Sequence, residues 1–160
     1  MRWRTSVQAS DARAVEVVVK ATGFFSSEEV LVAVELVDET LTHGDASGYD
    51  FVFADAPGGE GKLLGYTCYG PIPATESSYD LYWIAVSPDH QGRGLGANLI
   101  RESERLASMA GATQMFVETS GRNQYRPTRS FYERMGYTTA AVLQDFYAPG
   151  DDKVIYVRKL

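Results

Sequence analysis

Apolar residues along this chain follow two rhythms. At Val30, Val34, Val37 and Leu41 they recur every three or four positions, with Glu35, Asp38 and Glu39 mostly off the stripe. That spacing predicts an amphipathic helix. Ser26 and Glu29 stand where a capping box opens such a helix, each side chain satisfying a free backbone donor, and His43-Gly44 end it. Leu95, Leu99, Leu106 and Ala110 mark a second stripe, closed by Gly111. Shorter helices are predicted over residues 10–21, with Ser10 as N-cap and Gly23 as terminator, and between Pro127 and Gly136. Residues 49–54, 62–69, 80–86, 114–118, 137–146 and 153–160 read as strands. The turn-rich Pro57-Gly58-Gly59-Glu60-Gly61 joins the first two, and residues 147–152 join the last two. After Asp80 the third strand is apolar or aromatic at every position, as a strand covered on both faces must be. The order predicts an α/β (α+β) domain spanning residues 1–160, with a mixed sheet and helices on both faces.

Composition narrows the function classes. The 160 residues are 44% hydrophobic and 22% charged, enough for one sizeable core. Fifteen basic against twenty-one acidic residues give a net charge of -6, which disfavours nucleic acid as a partner. Apolar runs stay far below the ~20 residues of a membrane span. Arg2, Arg4, Asp11, Arg13 and Glu16 break up the first twenty residues, so no signal peptide is expected there. One cysteine, Cys68, and two histidines, His43 and His90, leave no inventory for a Cys/His metal site or an internal disulfide. No metal and a cytoplasmic location are expected.

The informative segment is Ile84-Ala85-Val86-Ser87-Pro88-Asp89-His90-Gln91-Gly92-Arg93-Gly94-Leu95-Gly96-Ala97. A buried strand and a turn run into alternating glycines that open a helix. Glycine permits close backbone approach, and free first-turn amides favour an anion such as pyrophosphate. A strict dinucleotide fingerprint needs glycine where Ala97 stands, and a P-loop needs Gly-Lys-Ser/Thr. Neither is met.

Gln91-Gly92-Arg93-Gly94-Leu95-Gly96 instead resembles the Gln/Arg-x-x-Gly-x-Gly/Ala motif of the GNAT superfamily of acyl-CoA-dependent N-acyltransferases. The resemblance runs from about Gly65 to the C-terminus, with the preceding Ile84-Ala85-Val86-Ser87-Pro88 strand, the Phe131-Tyr132-Glu133-Arg134-Met135-Gly136-Tyr137 segment and the closing strand pair. It implies a mostly antiparallel sheet that splays at its central strand, and acetyl-CoA as co-substrate. Amides of Gln91, Gly92, Arg93, Gly94, Leu95, Gly96 and Ala97 would hold the pyrophosphate. Backbone at Ile84, Ala85 and Val86 would pair with the pantetheine arm, with a Val86 amide as oxyanion donor. Asn123 sits where the family often places a coenzyme contact, two residues further from Tyr132 than is common. Tyr132 matches the tyrosine that protonates the departing thiolate.

An amine acceptor must lose a proton before it attacks. Glu118 resembles the glutamate of the ribosomal-protein-alanine N-acetyltransferases and is the preferred base. Asp80 stands where histone-type relatives carry a glutamate, one methylene longer. The acceptor site implied by the family lies between the loop holding Phe24 and Phe25 and the loop holding Phe146, Tyr147 and Asp151. Aromatic rings and carboxylates there suit a cationic small amine or a peptide N-terminus; the competing reading makes the two phenylalanines core and Asp151-Asp152 a solvated turn. A homodimer is a further expected partner state. The alternatives to acetyl transfer are a non-catalytic acyl-CoA sensor, or a transferase that uses another acyl-CoA.

Overall fold

The computed structural model describes residues 1–58 and 61–160. Of the turn expected at Pro57-Gly58-Gly59-Glu60-Gly61, Gly59 and Glu60 lie outside the described residues. The chain runs β1 (Arg2–Arg4), α1 (Asp11–Ala21), α2 (Ser27–His43), β2 (Asp50–Asp55), β3 (Leu63–Pro71), β4 (Ser78–Val86), α3 (Leu95–Met109), β5 (Gln114–Ser120), α4 (Arg126–Arg134), β6 (Thr138–Ala148) and β7 (Asp151–Lys159). The strands form one sheet in the order β1-β2-β3-β4-β5-β7-β6. Every neighbouring pair is antiparallel except β4 and β5.

The capping box is formed: the Ser26 hydroxyl accepts from the Glu29 amide, and the Glu29 carboxylate accepts from the Ser26 amide. Ser10 makes no side-chain cap, because Arg4 and Asp11 organise that end of the chain instead. The Arg4 guanidinium bridges Asp11 and Asp55, tying α1 to the edge of β2. Three-residue β1 is too short to show an apolar alternation, so the hydrophobic pattern does not reveal it.

Two helix stripes rotate from expectation. In α2 the buried residues are Val30, Ala33 and Val37, while Leu41 is exposed. In α3 they are Leu95, Leu99, Ile100, Ser103, Glu104 and Ala107, while Ala110 is exposed. The polar members are matched across the core. Ser103 hydrogen-bonds Thr67 of β3 at 2.7 Å. Glu104 accepts from the Tyr137 hydroxyl and from Arg158. A buried polar group with its partner in place costs little, so the stripe could include them without destabilising the fold.

Helices α1 and α2 cover one sheet face through Val15, Val19, Val37, Phe51, Phe53 and Tyr66. Helices α3 and α4 cover the other through Leu99, Ile100, Met115, Tyr132 and Tyr156. Two irregularities of β4 shape the cleft beside it. Trp83 pairs with Cys68 and Leu81 with Tyr69, so Tyr82 is an extra residue, a bulge. The bulge shifts the alternation: Tyr79, Leu81, Ile84 and Val86 join the α3/α4 side, and Trp83 and Ala85 the α1/α2 side. In addition, β4 and β5 pair only from Ser78–Gln114 to Asp80–Phe116. Beyond that point the sheet opens.

Candidate active site

The gap begins where β4 and β5 separate. The Ser87 amide donates to the Leu64 carbonyl of β3. In an antiparallel ladder the backbone groups of successive residues point to opposite edges. Ala85 therefore also turns its backbone toward β3, and Ile84 and Val86 turn theirs toward the gap. Of the three residues expected to pair with a pantetheine arm, Ala85 is the one whose backbone turns to β3, and its side chain is buried in the α1/α2 core.

At the far end of β4, the glycine run opens α3. Gly92 and Gly94 both have positive φ, +71° and +81°, and Gly94 is a left-handed N-cap that offers no side chain. The first-turn amides of Leu95, Gly96 and Ala97 therefore lack side-chain caps, the arrangement that suits an anion at a helix start. The Gln91 side chain donates to the Val86 carbonyl at 3.0 Å and braces this loop against β4. Arg93 is exposed on the loop, while the Leu95 side chain is buried core and has only its amide to offer. Gly96 faces the Phe131 ring of α4, which a Cβ there would touch at 3.4 Å. Asn123 is exposed at the start of a single 3-10 turn, Asn123–Tyr125, which takes up the two extra residues before α4. The chain thus fits a coenzyme A cradle by backbone conformation.

Tyr132 projects from α4 into the α3/α4 core at 4% exposure, with its ring against Phe131, Tyr137 and Tyr156. Desolvation alone raises its pKa, so the hydroxyl stays protonated. Asp80 and Glu118 alternate with residues of that core, and so stand on the other side of the sheet. Tyr132 thus lies on one side of the sheet and the two carboxylates on the other.

The two carboxylates differ. Among the described residues the Asp80 carboxylate has no hydrogen bond or ion pair; burial, reinforced by Glu118 and opposed by Lys153, pushes its pKa up to about 6. Glu118 is held by the Lys153 ammonium at 2.7 Å. Lys153 also lies 4.3 Å from the centre of the Phe146 ring. Phe146 in turn meets Tyr147 edge-on, and both are about half exposed. Glu118, Asp151 and Glu29 each raise the Tyr147 pKa, after burial, which places this phenol among carboxylates.

Across the cleft the two phenylalanines part ways. Phe25 packs on Trp83 at 4.8 Å and belongs to the core margin. Phe24 is exposed, with the Tyr125 ring 5.9 Å away and the Tyr125 hydroxyl donating to its carbonyl. Asp151 is no solvated turn residue, since it opens β7 and is buried. It is 7% exposed, accepts from the Ser120 hydroxyl and pairs with Arg122 at 3.1 Å. It pins the β6–β7 turn to the end of β5, and presents no free carboxylate to an amine. Trp83, Tyr125 and Lys153 join the cleft without having been expected there from the sequence. Lys153 carried one usable signal, since its strand position alternates with Val154 and so faces Glu118's side.

Among the described residues, no group of three His, Cys, Asp or Glu is arranged to hold a metal ion. No described helix is long and apolar enough to cross a membrane.

Residues 47–139, from the loop before β2 to the start of β6, match the family model of the GNAT acetyltransferase domain. The chain belongs to this family. A GNAT-family protein of known structure from Desulfovibrio desulfuricans superposes with a TM-score of 0.95 at 51% identity, covering 99% of this chain and 98% of that one. The ribosomal-protein-alanine N-acetyltransferase of Brucella melitensis shares the GNAT fold, with a TM-score of 0.78 at 20% identity over all of both chains. A mycothiol acetyltransferase from Saccharomonospora viridis is 28% identical over 148 residues, 87% of this chain and 46% of that protein. The chain spans just under half the length of the curated relatives it matches.

Proposed function

We propose that this GNAT chain transfers acetyl from acetyl-CoA directly to a cationic primary amine, a small molecule or a peptide N-terminus, in a ternary complex. The observation that carries the reading is the opened β4/β5 gap, running from the Asp80 carboxylate, unpaired among the described residues, at the last β4/β5 pair to the uncapped first turn of α3. Acetyl-CoA supplies a thioester carbonyl for the amine to attack and a thiolate to leave.

The chain's own groups have separate tasks. First-turn amides of α3 and the Gly92–Gly94 backbone bind the pyrophosphate, with Arg93 and Asn123 at the rim. Ile84 and Val86 orient the pantetheine, and a Val86 amide aimed into the gap polarises the carbonyl oxygen. Asp80 accepts the amine's proton, directly or through water, because it is the carboxylate without a cation on it. Tyr132 gives its hydroxyl proton to the leaving sulfur. Phe24 and Tyr147 present ring faces to the cationic acceptor, while the Phe146 ring beside them holds the Lys153 ammonium. The lone cysteine, Cys68, is buried and free, which suits work in a reducing cytoplasm. The exposed Val142 and Leu143 on edge strand β6 would let a second copy pair there.

An acceptor screen tests the reading: acetyl-CoA is offered with amino acids, polyamines, aminoglycosides and peptides, and free thiol is followed. Acetylated amine in step with thiol release is the expected result. Thiol release with no amine anywhere acetylated would overturn it.

A further inference from the structure

We propose that Lys153 is a positioning residue: its ammonium clamps Glu118, and the clamp leaves Asp80 as the proton acceptor of the site. This rests on the reading of the cleft as an amine-acetylating site. The geometry comes from three strands. Lys153 lies on β7 opposite Ser120 of β5, two residues past Glu118, and turns away from the core face occupied by Val154. Its ammonium meets the Glu118 carboxylate at 2.7 Å and the Phe146 ring of β6 at 4.3 Å. The lysine side chain is 15% exposed and that of its glutamate 45%. The cation is thus the better shielded partner, held from two directions, and an ion pair so placed is screened less than one on open surface.

A carboxylate oxygen that already accepts from an ammonium is held in place and has fewer lone pairs to offer an incoming amine. Asp80 is the opposite case. The charged or titratable groups facing it are Glu118 from β5, Lys153 from β7 and the Tyr82 phenol from its own strand. Glu118 raises its proton affinity and Lys153 lowers it. The Lys153 cation therefore does two things at once: it occupies one oxygen of the competing carboxylate, and it offsets part of the upward push that Glu118 exerts on Asp80.

These opposite signs make the test. Asp80 is titrated by the 13C shift of its carboxyl carbon, in protein without coenzyme, and the acid limb of kcat/KM is measured on the same variants. Lys153→Met is expected to raise the Asp80 midpoint by about half a pH unit or more, and Glu118→Gln to lower it comparably, as charges within a partly shielded cleft require. Lys153→Arg keeps the cation and is expected to keep the wild-type midpoint. The acid limb follows the same order, and Asp80→Asn abolishes it. Midpoints that fail to move apart in Lys153→Met and Glu118→Gln overturn the clamp. So does an acid limb that survives Asp80→Asn and vanishes in Glu118→Gln. The titration needs no acceptor, so it reports on the clamp even if every amine in the screen is refused. A refused screen with the midpoints moving as stated sinks the functional reading and Asp80's role as proton acceptor, and leaves the Lys153–Glu118 clamp standing.

Discussion

The Gln91 side-chain amide donates to the Val86 carbonyl across 3.0 Å. That bond ties the glycine loop to the last residue of β4, so the two parts of the proposed coenzyme site move as one. Gln91→Ala breaks the tie and leaves the glycines intact. A single hydrogen bond of this kind contributes about 1 kcal/mol. The KM for acetyl-CoA is expected to rise roughly three- to tenfold, with kcat nearly unchanged. A fall in kcat with constant KM would show that the loop is held by other means.

Gly94 offers a sharper test of the cradle. Its φ of +81° is left-handed, and an added Cβ would meet no atom of the described protein within 4 Å. The cost of Gly94→Val is therefore backbone strain, about 1–2 kcal/mol, which a folded chain tolerates, plus a branched side chain where the pyrophosphate would approach. Calorimetry is expected to show acetyl-CoA binding lost, and the ligand-induced rise in Tm lost with it. Normal binding by a folded variant would remove the pyrophosphate from this loop.

Tyr132→Phe deletes one hydroxyl from a ring packed among Phe131, Tyr137 and Tyr156. Packing is untouched, so Tm and coenzyme affinity are expected to hold. Loss of a positioned general acid lowers kcat by about 10²-fold. If kcat is unchanged while chemistry limits the rate, the thiolate takes its proton elsewhere.

Tyr66 predicts a gain. Its hydroxyl is buried between the helices and β3 with no hydrogen-bond partner among the described residues, and desolvation raises its pKa strongly. A buried polar atom left unpaired costs about 1–3 kcal/mol. Tyr66→Phe keeps the ring stack with Phe51 and Phe53 and removes the orphan. Chemical denaturation is expected to show a variant at least as stable as the parent, by up to about 1 kcal/mol. A clear destabilisation would mean that the hydroxyl has a partner, such as a bound water.

Much of the frame was legible because it is written in short-range chemistry. The capping box at Ser26 and Glu29, the glycines of the α3 loop and the Pro127 and Gly136 that bracket α4 act within a few residues of themselves. Helix faces were less legible. In α3 the buried stripe includes Ser103 and Glu104, and a pattern of apolar residues passes over polar ones whose partners, Thr67, Tyr137 and Arg158, are far away in sequence.

The amino-acid sequence by itself determined the family, the order of helices and strands after β1, and the glycine turn that prepares a helix start for an anion. Local backbone preference suffices for the elements and the turn, and the family is written in the spacing of those same glycines. Only the tertiary structure decided which side chains are free to act. The Tyr82 bulge sets which residues of β4 share a face with Asp80, and it exists only in register with β3. Asp151 is engaged by Ser120 and Arg122, and Glu118 by Lys153, through contacts between residues that are distant in the chain. A carboxylate's chemistry depends on the charge beside it, and that neighbour is chosen by the fold.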